Sequence, residues 1–237
     1  MKLPNGTHRE WHVKGAAAQM NWLRAAVLGA NDGIISLAAL IVGVASVVSS
    51  VSHILVTGIA GLLAGALSMA VGEYVSVSSQ RDSEKSLLEK ERYELAHYPR
   101  EEFKELVGLY EKKGLSKETA QVVAKELTDH DVFAAHAEAE LGINAQELTN
   151  PWYAAAASAG SFTAGAVVPL AAIMFAPTAL RIPMTFGAVF VALLITGIVS
   201  AKVSGAHTGI ATLRVLAGGI LAMLITFGIG SFFGASV

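Results

Sequence analysis

Two carboxylates stand where a carboxylate is costly. Asp32 lies in Gly29-Ala30-Asn31-Asp32-Gly33, Glu73 in Met69-Ala70-Val71-Gly72-Glu73, and no charged residue falls between them. An ionised side chain inside a bilayer costs about 2.5–3.5 kcal/mol even on the lenient insertion scale, so it needs a partner, a cavity or a task. Met69 and Glu73 are four apart and share a helix face, so a thioether and a carboxylate can aim at one spot. Asn31 and Gly33 put a polar pair and a flexible backbone beside Asp32, as expected where a helix lines an ion path. Taken singly, a methionine is ordinary packing and a carboxylate near a helix end can reach the interface. The Gly61-xxx-Gly65 spacing is a packing signal.

A second set lies in residues 81–150, which hold sixteen of the nineteen acidic residues. Glu91/Glu94 and Glu102/Glu105 are Glu-x-x-Glu pairs. Like charges at that spacing cost a few tenths of a kcal/mol each unless a cation sits between them. Further on, His136 and Glu140 are four apart, with Glu138 between them on another side. Oxygen ligands with an imidazole suit Mn(II), Fe(II), Zn(II) or Co(II), and a chain without cysteine is poorly suited to Cu(I). The competing reading of any one pair is a solvated acidic face. Glu94-Leu95-Ala96-His97 is a Glu-x-x-His, but a di-iron bundle needs two such motifs and two further glutamates. Only one is present.

The elements that must carry these residues follow from composition. Of 237 residues, 53% are hydrophobic and 15% charged, well below the quarter typical of soluble domains. A net charge of −2 excludes a nucleic-acid binder. Crossing a hydrocarbon core takes about 20 apolar residues. The charge-free stretches predict five transmembrane helices, at 22–48, 54–80, 151–176, 183–203 and 208–235. With no alternating ten-residue pattern, the fold class is all-α integral membrane.

Sixteen of the seventeen lysines and arginines fall on one side of these spans, leaving Arg181 on the other. The positive-inside rule makes that side cytosolic. The N-terminal arm, 1–21, is then inside and carries no signal-peptide core, and the C-terminus lies on the opposite side. Residues 22–80 hold the first two spans and 151–237 the last three. Between them, 81–150 reads as a cytosolic acidic bundle of short helices. The first ends before Pro99, the second at Gly114, a third is capped by Ser116, and a fourth runs Asp131–Leu141.

Three stretches resemble the vacuolar iron transporter (VIT/CCC1) family. They are Arg24–Ser36 (RAAVLGANDGIIS), Ser68–Asp82 (SMAVGEYVSVSSQRD) and the acidic insertion closing with Glu140-Leu141-Gly142. The resemblance implies a homodimer of five-helix protomers that exchanges divalent metal for protons, with the path at the dimer interface. Asp32, Met69 and Glu73 match its transport path; Glu91, Glu94, Glu102, Glu105 and Glu140 match its cytosolic metal-binding glutamates. Plant members place methionines on the fourth cytosolic helix, whereas His136 with Ala137 stands there in this chain.

The expectation is therefore a divalent metal transporter, for iron and also manganese, with zinc and cobalt chemically admissible. It has no tightly bound cofactor and is not an enzyme. Its partners are the lipid bilayer, metal ions, protons and a second copy of the chain. The membrane is the plasma membrane in a prokaryote and the vacuolar membrane in a eukaryote. The rival readings are a membrane-anchored ferroxidase or iron store, and a metal sensor. Neither of these needs Asp32, Met69 and Glu73 inside the membrane.

Overall fold

The structure, a computed structural model, describes residues 16–144 and 149–234, so residues 1–15 of the N-terminal arm and the last three residues lie outside it. Every regular element among the described residues is helical: α1 (Ala16–Ala45), α2 (Val51–His97), α3 (Pro99–Lys112), α4 (Lys117–Ala139), α5 (Pro151–Phe175), α6 (Arg181–Ser204) and α7 (Thr208–Gly234), with a 3-10 turn at Thr178–Leu180. Five helices are long and apolar enough to cross a membrane, namely α1, α2, α5, α6 with its leading turn, and α7. That is the five-span, all-α architecture expected of the sequence.

The described residues divide into two compact units, one with residues up to Tyr74 and from Pro151, the other Val75–Asn150. Helix α2 contributes to both.

In the first unit α1 is the central helix. Ile34, Ala38 and Val42 recur every fourth residue and pack on Val189 and Leu193 of α6 and Met223 of α7. Leu37 and Ile41, on another face, pack on Ile54 of α2 and Phe162, Ala166 and Ile173 of α5. Lipid supplies little hydrophobic force between helices, so close approach through small residues must hold them. Gly33 shows this: a Cβ there would collide with the Phe162 carbonyl, and one at Gly165 with the Ala30 carbonyl. The outward faces remain apolar, as Leu63 and Leu67 of α2 and Leu221 and Phe232 of α7 illustrate. Such faces suit hydrocarbon. Tyr74 and Trp152 pack with ring centroids 4.7 Å apart, the residue types that favour a membrane–water boundary.

The second unit is a small bundle. Leu106 and Val107 of α3 meet Ala120, Ala124 and Ala135 of α4. Pro99 opens α3, where its missing N–H costs nothing. Ser116 caps α4 by accepting from the Thr119 N–H at 3.3 Å. Helix α4 is interrupted at Asp131, whose backbone is extended (φ −158°, ψ 94°).

Candidate metal centre and membrane cleft

Three helices of the second unit bring four ligand-type side chains to one point. Glu91 comes from α2, Glu102 from α3, His136 from the last turn of α4 and Glu140 from its C-cap. One ligand atom from each lies within 4.8 Å of all the others. His136 Nδ1 is 2.9 Å from Glu91 Oε1, 3.8 Å from Glu102 Oε2 and 3.8 Å from Glu140 Oε2. Donor atoms around a metal at about 2.0–2.2 Å stand roughly 3–3.5 Å apart. The cluster therefore needs only slight contraction to enclose an ion.

Burial makes the arrangement unusual. His136 is fully buried and Glu91 is 2% exposed. Glu91 Oε1, Glu140 Oε2 and both His136 ring nitrogens are buried without an aligned hydrogen bond. Unpartnered buried polar atoms each cost about 1–3 kcal/mol, more if charged. Three carboxylates crowded this way also repel one another. Desolvation, then Glu140, Glu102, Glu94 and Glu105, push the Glu91 carboxyl up to about 7. Burial, then Glu105 and Glu94, raise Glu102 as well. Burial lowers His136, with Glu140 and Glu105 opposing it. The site without metal thus favours a protonated Glu91 and a neutral imidazole. A divalent cation would displace the proton, satisfy the orphaned atoms and cancel the repulsion in one step. An oxygen-rich donor set with one imidazole fits Mn(II), Fe(II), Co(II) or Zn(II).

Of the seven sequence-predicted ligands, the structure gathers these four. Glu94 is nearby but pairs with Lys90 at 3.0 Å. Glu105 is exposed and acts on Glu91 and Glu102 through its charge. Glu138 faces elsewhere, lining a pocket with Arg92, Asp131 and Phe133.

In the first unit, Asp32 and Met69 line one cleft of about 240 Å³ with Ser36, Ser68, Gly61, Gly65 and Phe162. The Ser36 hydroxyl donates to the Asp32 carbonyl at 2.5 Å. No local pattern in the sequence marks either serine as a cleft residue, although Ser36 is four from Asp32 and Ser68 adjoins Met69. Glu73 is half-buried, one turn beyond Met69 on α2, and is not part of the lining. Asn31 is half-buried, and its Oδ1 is buried without a partner.

Residues 23–231 match the VIT family. The "Vacuolar iron transporter" of Acanthamoeba castellanii is 42% identical over 218 residues, covering 92% of this chain and 80% of that protein. "Vacuolar iron transporter homolog 5" of Oryza sativa subsp. japonica is 40% identical, covering 93% and 84%. "Vacuolar iron transporter homolog 2" of Arabidopsis thaliana is 37% identical, covering 90% and 85%. The chain is a multi-pass membrane protein that belongs to the VIT family, whose members are transporters rather than enzymes.

Proposed function

We propose that the protein moves divalent iron, and manganese by the same chemistry, out of the cytosol in exchange for protons. The observation that carries this reading is the buried Glu91/Glu102/His136/Glu140 group, whose orphaned ligand atoms call for a cation. The names of the relatives, all iron transporters or their homologues, favour iron as cargo. In this reading residues 81–150 are cytosolic and capture the ion, which then passes Glu73, Met69 and Asp32. The N-terminus is cytosolic and the C-terminus lies across the membrane. The membrane is the plasma membrane in a prokaryote and the vacuolar membrane in a eukaryote.

Proton exchange is supported by energetics. Carrying a divalent ion outward against 100 mV, inside negative, costs about 4.6 kcal/mol, twice the 2.3 per elementary charge. Protons entering from the outer side offset that cost and neutralise the path carboxylates, which releases the metal. A homodimer is supported by the exposure of Asp32 in a membrane helix. A carboxylate facing lipid is untenable, and a second copy closing over the Asp32–Met69 cleft removes it from hydrocarbon.

The test is metal flux into proteoliposomes for Fe(II), Mn(II), Co(II) and Zn(II) in parallel, with and without an imposed pH gradient. Gradient-dependent uptake of Fe(II), abolished in Asp32→Ala and Glu73→Ala, is expected. Parent-like transport by both variants would rule out the path. Oxygen consumption with Fe(II) and no flux would point to the ferroxidase or iron-store reading. Metal binding that rearranges the protein without flux, with Asp32 and Glu73 dispensable, would point to a sensor.

A further inference from the structure

The break in α4 has a direct bearing on the metal centre. In an unbroken helix His136 would stand sixteen residues after Ala120, about 160° around the axis. That places it away from the face that Ala120 and Ala124 bury against α3. Instead His136 is fully buried among Glu91, Glu102 and Glu140. The direction changes at Asp131, where the backbone turns extended and Asp131 Oδ1 accepts from the Ala134 N–H at 2.9 Å. Asp131 is thus the N-cap of a new short helix carrying His136 and Glu140. A second anchor holds the same segment: the Arg92 guanidinium lies 4.4 Å from the centroid of the Phe133 ring, and Arg92 follows the ligand Glu91 in sequence. Packing alone does not fix the segment, because an open pocket of about 620 Å³ lies beside it, lined by Arg92, Asp131, Phe133, Ala134 and Glu138 among others.

We propose that Asp131 is a positioning residue for the metal centre: its cap sets the break in α4 that turns His136 and Glu140 toward Glu91 and Glu102. Asp131 touches no ligand atom itself. It acts by ending one helix and starting another three residues before Ala134 and five before His136. The proposal rests on the metal-capture reading above, and its test separates the two.

The experiment is a Co(II) titration of the full-length protein in detergent, read by d–d absorption, for the parent and for Asp131→Ala, Asp131→Asn and His136→Gln. Asparagine caps a helix as well as aspartate, so Asp131→Asn should bind within about threefold of the parent with the same spectrum. Asp131→Ala should lose affinity about 10- to 100-fold, the usual effect of freeing a ligand's support, with an altered spectrum. Parent-like binding by Asp131→Ala, or equal loss in Asp131→Ala and Asp131→Asn, overturns the cap's role. Parent-like binding by His136→Gln overturns the metal-capture reading itself. Should Asp131→Ala not fold, Arg92→Gln, which releases Phe133 and leaves every ligand in place, must show the loss of affinity, and parent-like binding by it overturns the proposal.

Discussion

His136 Nδ1 of α4 lies 2.9 Å from Glu91 Oε1 of α2, and both groups are buried without an aligned hydrogen bond. A neutral imidazole and a carboxyl at that distance, flanked by Glu102 and Glu140, form a pair that a divalent cation would complete. His136→Gln keeps a polar side chain but removes the ring nitrogens. We expect Mn(II) affinity to fall at least as far as loss of a ligand's support would take it, about 10-fold or more, measured by electron paramagnetic resonance of free Mn(II). Unchanged affinity would place the ion elsewhere.

The protonation of Glu91 gives the metal-free protein a pH signature. Its folded value of about 7 stands above the ordinary 4.5. Between those values the folded state holds a proton that the unfolded state has lost, so stability falls as pH rises from 4.5 to 7. The shift corresponds to about 3 kcal/mol at most. His136, lowered by burial, works the other way below pH 6.5. Above 6.5 only the carboxyl effect remains. Melting temperature should therefore drop between pH 6.5 and 7.5 without metal. The drop should shrink in Glu91→Gln and vanish with saturating Mn(II). A flat metal-free profile, identical in Glu91→Gln, would contradict the buried carboxyl.

The α1–α5 crossing should be intolerant of a single methyl. A Cβ at Gly33 or Gly165 collides with backbone of the opposite helix, which cannot swing aside, whereas one at Gly72 meets nothing within 4 Å. Gly33→Ala and Gly165→Ala should each destabilise by about 1–3 kcal/mol. Gly72→Ala should be neutral or stabilising by up to about 1 kcal/mol. Thermal unfolding of the full-length protein in detergent compares the three. Equal behaviour would mean the helices do not approach this closely.

Transport and capture should come apart at Asp32. Asp32→Asn keeps the shape of the cleft and removes its charge, while the four-ligand group is untouched. Flux in proteoliposomes should fall at least about tenfold with Mn(II) binding retained, a transport loss of about 1.4 kcal/mol or more. Met69→Leu, which keeps volume and removes sulfur, should slow Fe(II) flux by less. Loss of binding and flux together in Asp32→Asn would mean that the cleft is not a separate step.

The five spans were legible because long uncharged stretches carry one strong signal, and α2, α5, α6 and α7 begin or end within a few residues of the expected bounds. The site was legible in residue type and only partly in membership. Residues three apart on a helix lie about 60° apart around its axis, so each Glu-x-x-Glu pair shares a side without sharing a point. Glu91 and Glu102 turn inward, whereas Glu94 is held by Lys90 and Glu105 faces solvent. Which member of a pair enters depends on how three helices dock, and no local pattern encodes that. Glu138 differs for the same reason: it sits two residues from both His136 and Glu140, on another side of α4. Asp131 was legible as a helix start; its bearing on His136 needed the packing of α4 on α3.

Whether one divalent ion sits among three carboxylates and one imidazole is decided by X-ray absorption on the full-length protein loaded with one equivalent of Fe(II) under nitrogen. The predicted spectrum has only oxygen and nitrogen neighbours at about 2.0–2.2 Å, with the multiple scattering of a single imidazole that disappears in His136→Gln. A sulfur neighbour, or an imidazole signal that persists in His136→Gln, would contradict it.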